Sequence, residues 1–168
     1  MKISIRKHME SDIPYRVKWL NNSKVNTFLW ADPRKKTNKK KQKIWFEEYK
    51  KSRNKKFFTF LSWNKPIWFM WFSNYSKINR NSEIFIMIWE EEYLWKWIWE
   101  YCMKWLISYW FNSINLNKIS LSVFEDNIPA VNLYKKIWFK VEGRLVDEVY
   151  FWWKYYTSLL MAIFNPNK

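Results

Sequence analysis

Polar and apolar side chains alternate across residues 2–7, the period of a strand with one covered face. Ser11 or Asp12 then opens a helix running through Leu20, with Ile13, Val17 and Leu20 on one stripe. Arg34 to Lys43 is a basic stretch without an acid and predicts a solvated face, and residues 44–49 continue as a second helix. Phe57–Ser62 and Ile67–Phe72 predict strands joined by Trp63-Asn64-Lys65-Pro66. Glu83 to Ile88 is an almost continuous apolar run, as suits a central buried strand. Ile98, Cys102, Trp105, Leu106 and Tyr109 recur at helical spacing within a helix predicted from Trp97 to Trp110. Lys118–Phe124 alternates again. Asn127 caps a helix that tolerates Pro129 in its first turn and repeats Ala130, Leu133, Tyr134 and Ile137 on one face. Residues 139–142 and 156–163 supply the last strands, with Val146 to Phe151 between them.

The order β-α-α-β-β-β-α-β-α-β-β describes a mixed sheet with helices on its faces. With 168 residues, the chain is expected to form a single domain spanning 1–168. No apolar run reaches the length of a membrane span, and the N-terminus alternates instead of carrying a signal peptide's apolar core. A single cysteine, Cys102, rules out an internal disulfide and favours a reduced, cytoplasmic setting; it reads as a small buried apolar residue. His8 stands alone after the first strand and reads as a surface residue.

Two counts change the picture. The chain holds 1 glycine and 15 tryptophans, where average usage gives about 12 glycines. The tryptophans fall where glycine is needed. Trp63 stands at a hairpin tip, and Trp152-Trp153 fills the Gly-Gly or Asn-Gly slot of another. Trp138 occupies the position that glycine takes after a helix. Trp95, Trp97 and Trp99 crowd a helix entrance. The pattern implies that UGA codons meaning glycine have been written as tryptophan at Trp30, Trp63, Trp68, Trp71, Trp89, Trp95, Trp97, Trp99, Trp110, Trp138, Trp152 and Trp153. Trp19, Trp45 and Trp105 remain as tryptophans on apolar helix faces. The formal charge of +15 follows from the same AT-rich coding, which favours Lys and Asn. It is therefore discounted as a sign of nucleic-acid binding.

With glycine restored, Leu94 to Trp99 becomes Leu-Gly-Lys-Gly-Ile-Gly between a strand and a helix. This resembles the pyrophosphate loop of the GNAT superfamily of N-acetyltransferases, with Leu94 in place of the usual Gln or Arg. Residues 127–139 are similar to that family's Asn-x-x-Ala-x-x-Leu-Tyr-x-x-x-Gly-Phe signature, with Trp138 at the glycine. The region from Val141 to Met161 resembles the branch of ribosomal-protein N-terminal and spermidine acetyltransferases. The resemblance covers nearly the whole chain and is strongest from residue 83 onward. It implies an α/β (α+β) fold with a mixed, mostly antiparallel sheet of six to seven strands and about four helices. It also implies a bacterial enzyme with acetyl-CoA as cosubstrate and no metal.

The resemblance further assigns roles. The backbone of Ile86, Met87 and Ile88 would pair with the pantetheine arm and polarise the thioester carbonyl. Leu94, Trp95, Lys96, Trp97, Ile98 and Trp99 would cradle the pyrophosphate at a helix N-terminus. Asn127 would hydrogen-bond the cofactor arm while capping its helix, and Tyr134 would protonate the departing thiolate. Glu83 is the candidate base, with Glu125 as runner-up. The expected acceptor is a primary amine: first a protein N-terminus, then a polyamine, then an amino sugar. Glu90, Glu91 and Glu92 are the acidic residues that could receive a polyamine. A homodimer is left open. The reading from another class is a non-catalytic acyl-CoA- or nucleic-acid-binding module.

Overall fold

The computed structural model describes residues 2–22, 35–88, 96–151 and 153–167, with the side chains of 86–88, 96–97 and 151 left aside. Seven strands form one sheet: β1 (Ile3–Lys7), β2 (Lys56–Ser62), β3 (Lys65–Ser76), β4 (Asn81–Ile88), β5 (Lys118–Phe124), β6 (Lys140–Phe151) and β7 (Lys154–Phe164). Their order is β1-β2-β3-β4-β5-β7-β6. Four α-helices accompany them: α1 (Ile13–Leu20), α2 (Lys39–Lys51), α3 (Lys96–Ser108) and α4 (Ile128–Lys136). The predicted element order and the mixed sheet are both found. Among the described residues no helix is long and apolar enough to cross a membrane. By its contacts the chain divides into two compact units, Met1–Ser73 with Phe85–Leu94, and Asn74–Ile84 with Trp95–Lys168.

In the first unit, β1, β2 and β3 form antiparallel pairs, closed at Ser62↔Lys65. β2 and the middle of β3 are buried on both faces, so their runs read as almost unbroken apolar sequence. α2 begins earlier than its apolar stripe suggests. Asn38 accepts a hydrogen bond from the Lys41 amide at 2.9 Å and caps the helix inside the basic stretch.

Asp12 was a candidate helix cap, but its carboxylate does other work. It accepts from both terminal nitrogens of Arg6 at 2.7 and 2.6 Å, from the Met9 amide at 3.0 Å and from the Thr59 hydroxyl at 2.7 Å. These bonds tie β1, the start of α1 and β2 to one buried carboxylate. His8 corrects the surface reading: it is only 5% exposed, and its Nδ1 lies 2.7 Å from the Thr59 hydroxyl. Because Thr59 donates to Asp12, that hydroxyl accepts from His8, which places the ring proton on Nδ1. Phe57 and Phe69 flank the ring. A lone histidine gave no sign in sequence that β2 would bring Thr59 and Phe57, and β3 Phe69, against it.

In the second unit β5 pairs antiparallel with β7 along its whole length, and β7 with β6. β6 unites two runs that the sequence separates. Its register slips between Leu145 and Val149, where Asp147 adopts φ 51° and its amide reaches the Thr157 hydroxyl at 3.3 Å. The bulge shifts the alternation and hides the continuity. α3 ends at Ser108 and is followed by a π turn, Tyr109–Ser113, that buries Trp110 and Phe111.

Among the described residues three tryptophans adopt left-handed backbone: Trp63 (φ 48°), Trp138 (φ 74°) and Trp153 (φ 63°). Their exposures are 72%, 77% and 84%. Trp63 and Asn64 (φ 72°) form a two-residue turn with both central residues at positive φ, the type I′ hairpin. Trp138 completes a Schellman motif, in which its amide bonds Lys135 O at 3.1 Å and the Phe139 amide bonds Tyr134 O at 3.0 Å. None of the three indoles is buried, so each carries the steric cost of its Cβ with little packing in return. The other proposed glycine positions divide differently. Trp68, Trp99 and Trp110 are core residues in this chain, and Trp71 lies flat against Phe57 and Phe85. Trp30, Trp89, Trp95 and Trp152 lie outside the described residues, and the side chain of Trp97 is not described.

Replacing Trp63, Trp138 and Trp153 together by glycine is expected to raise stability by about 1 kcal/mol per site; chemical denaturation measures it, and a loss at all three would refute the strain. A second prediction concerns pH. Burial pushes His8 down to about 4, against the attraction of Asp12, while Arg16 and Arg6 add to the lowering. The folded ring is thus neutral where the unfolded ring, near pH 6.5, takes a proton. Its contribution is complete above about pH 6.5 and is lost as pH falls toward 4, on the order of 3 kcal/mol in all. His8→Gln should flatten the stability profile in that window, and an unchanged slope would assign it elsewhere.

Candidate active site

The second unit brings the two glycine motifs together. Trp99, in the first turn of α3, meets Tyr134 of α4 edge-to-face at 5.2 Å between ring centroids. The contact is reinforced one turn away: Glu100 accepts from Lys136 Nζ at 2.6 Å, and Lys104 pairs with the same carboxylate at 2.8 Å. Tyr134 is buried, with Phe139 on another side at 5.8 Å. Desolvation raises its hydroxyl above the ordinary tyrosine value, so it stays protonated across the physiological range. Such a phenol can give a proton to a strong base such as a thiolate and does not hold a negative charge at rest.

Asn127 occupies the predicted N-cap. Its Oδ1 accepts from the Ala130 amide at 3.4 Å, and its carbonyl accepts from Val131 N at 3.0 Å. Among the described residues its Nδ2 makes no hydrogen bond, so the amide group keeps a donor for a ligand. Pro129 sits in the first turn, where its missing N–H costs nothing.

The predicted loop is seen only in part. α3 starts at Lys96, so Lys96, Trp97, Ile98 and Trp99 form its first turn, while Leu94 and Trp95 lie outside the described residues. Ile98 and Trp99 are buried. Glu90, Glu91 and Glu92 also lie outside the described residues.

Ile86, Met87 and Ile88 end β4, as expected. The parallel ladder between β4 and β5 covers Asn81↔Lys118, Ser82↔Ile119 and Glu83↔Ser120, and β4 continues past the last of these pairs. Glu83 is half-buried and accepts from Asn74 Nδ2 at 2.9 Å. No hydrogen bond or ion pair joins it to Tyr134 among the described residues. Glu125 is a poorer base than its sequence position suggests. Arg144 grips it with two bonds of 2.8 and 2.7 Å and holds it below the usual carboxylate range. A carboxylate locked in a guanidinium fork gives up its lone pairs reluctantly. Cys102 is buried, and desolvation raises its thiol well above the ordinary range, so it has no thiolate character at neutral pH. No group of three or more potential metal-ligating side chains occurs among the described residues.

The fold is that of the N-acetyltransferases. The chain superposes on the spermidine N-acetyltransferase of Vibrio cholerae, solved in complex with CoA and spermine, with a TM-score of 0.90, 22% identity, and coverage of 97% of this chain and 95% of the other. A chimaera of the Vibrio cholerae enzyme and hSSAT gives 0.89 at 20% identity over 99% and 98% of the two chains. In sequence, the chain is 33% identical over 88 residues to spermidine N(1)-acetyltransferase of Escherichia coli (strain K12), covering 52% of this chain and 47% of that protein. The match therefore spans about half the length of the curated relatives. No protein-family model matches the chain.

Asn127 gives a test that separates its two roles. Asn127→Ala should cost about 1 kcal/mol in stability through the lost cap. Asn127→Ser keeps a capping oxygen but loses the amide donor. It should retain stability and weaken acetyl-CoA binding several-fold by calorimetry, measured with glycine at the twelve positions named above. Equal affinity in the serine variant would leave Asn127 as a cap alone.

Proposed function

We propose that this protein is an acetyl-CoA-dependent N-acetyltransferase acting on a primary amine. The observation that carries the reading is the packing of the phosphate-loop helix on the Asn-x-x-Ala-x-x-Leu-Tyr helix, tied by Glu100 and Lys136 at 2.6 Å whatever residue stands at position 99, within an acetyltransferase fold. The bound acetyl-CoA supplies an activated thioester. A backbone N–H of Ile86, Met87 or Ile88 would donate to the thioester oxygen as it becomes an oxyanion. A neutral amine held beside the thioester attacks its carbonyl carbon, and the C–S bond breaks as the tetrahedral intermediate collapses. Tyr134 returns a proton to the sulfur. The proton lost by the amine goes to a base, for which Glu83, acting through water, remains the candidate, since Glu125 is committed to Arg144.

A protein N-terminus was the first expectation for the acceptor. The comparisons favour a polyamine, because the similar enzymes named above are spermidine acetyltransferases. The formal charge of +15 argues against a polycation, and a local acidic site such as Glu90–Glu92 would be needed to receive one.

The glycine reading belongs to the same proposal. Trp63, Trp138 and Trp153 support it by backbone angle and exposure, and the loop positions support it by motif. A phosphate cradle works because backbone N–H groups converge on oxygen, and an indole occupies that space. The glycine form, altered at all twelve positions, is expected to bind acetyl-CoA and to release thiol with spermidine faster than with a peptide N-terminus. The tryptophan form should bind acetyl-CoA at least tenfold more weakly. Tyr134→Phe in the glycine form should lower kcat about a hundredfold with acetyl-CoA affinity retained. Absence of thiol release with every amine tried would overturn the enzyme reading, and unaltered turnover in Tyr134→Phe would remove that residue from the chemistry.

A further inference from the structure

The first unit contains a buried cation without a counter-charge. Arg16 is 8% exposed. Its Nε donates to Gln42 Oε1 at 2.5 Å, and its guanidinium carbon lies over Trp45, 3.4 Å from the ring centroid. Its Nη1 is buried and has no hydrogen-bond partner, and no carboxylate pairs with the guanidinium among the described residues. A buried guanidinium normally finds an anion or a full set of acceptors. Arg16 instead lines an open cavity of about 260 Å³.

The rest of the lining has matching chemistry. Tyr49 accepts from the Phe57 amide at 3.2 Å, and its own hydroxyl proton has no acceptor among the described residues. Lys55 is exposed at the rim and forms no ion pair among those residues. Three donors with unused hydrogen-bonding capacity thus line one space. Its other walls are the rings of Trp45, Phe57 and Trp71, the last two stacked at 5.4 Å. Glu48 is the one acidic side chain of the lining, and it is exposed.

We propose that this cavity binds a small organic acid, with its carboxylate on Arg16 and Tyr49 and its apolar body between the aromatic walls. Lys55 screens the charge at the rim. A polyamine does not suit the cavity, because a second cation would face an uncompensated guanidinium. The site requires no acetyl-CoA, so its test stands apart from the proposed transferase activity. With glycine at position 71 the space would open beside Phe85, and Arg16, Tyr49 and Lys55 would remain in place.

Benzoate is a suitable probe, with benzamide as its uncharged match and inorganic phosphate as an anion without an apolar body. The chain has six arginines, so the Nε–H resonances of protein labelled in arginine are few enough to follow during titration. Benzoate is expected to shift the Arg16 resonance saturably, with affinity at least tenfold above that of benzamide or phosphate. Lys55→Gln, a surface change, should weaken benzoate about threefold, and Arg16→Gln should abolish binding with the fold intact by circular dichroism. If Arg16→Gln does not fold, the resonance shift and the Lys55→Gln affinity decide the matter. Absence of a saturable shift would overturn the proposal. Benzamide binding as tightly as benzoate would reduce the site to an apolar crevice, and phosphate binding alone would exclude an organic acid.

Discussion

Among the described residues, three reversals place tryptophan in left-handed backbone, and the elements they join could not follow their observed paths without that conformation. The β2–β3 hairpin closes through Trp63 and Asn64, α4 enters β6 through Trp138, and β6 returns as β7 through Trp153. Elsewhere among the described residues the same demand falls mostly on short polar side chains that tolerate it, Asn74, Asn115 and Asp147, with Arg80 (φ 50°) as the exception. The single glycine, Gly143, is not used for this purpose. Tryptophan has the opposite character, with a large side chain that gains by burial. At these three turns it is exposed, and the geometry suits glycine on both counts.

The same constraint reaches the candidate site. The Schellman closure at Trp138 sets the end of the helix that carries Tyr134, and Tyr134 itself supplies one of the accepting carbonyls. At the other end Asn127 fixes where that helix starts. The tyrosine is thus placed between two caps nine residues of helix apart, and α3 is held to that helix by Trp99–Tyr134 and by the Glu100–Lys136 ion pair. Helix ends, more than helix interiors, determine what could meet a cofactor here.

The first unit shows how differently two buried charges can be treated. Asp12 accepts four hydrogen bonds from three residues, two of them from Arg6, and its carboxylate is held below the usual range despite burial. Arg16, on the following helix, has one amide partner and an aromatic face, and desolvation lowers it to about 9. Asp12 reads as a structural hub because its acceptor capacity is used. Arg16 reads as a ligand-facing group because its donor capacity is not.

By itself the sequence determined the order of elements, the cap at Asn127, the helical stripe bearing Tyr134 and the turn positions where tryptophan is out of place. These are local properties: period, capping chemistry and the sign of φ are set within a few residues. The union of β6 across its bulge and the burial of His8 were decided elsewhere in the chain, since each depends on a distant partner, Thr157 or Thr59; the earlier start of α2 is local to its cap, Asn38. The same holds for the candidate site. Motif spacing singled out Trp99 and Tyr134, but only the packing of α3 on α4 brought them into contact. The Arg144 fork on Glu125 and the unpaired Nη1 of Arg16 were invisible in sequence, because a charge's role depends on which partners the fold brings within about 3 Å and which it leaves out.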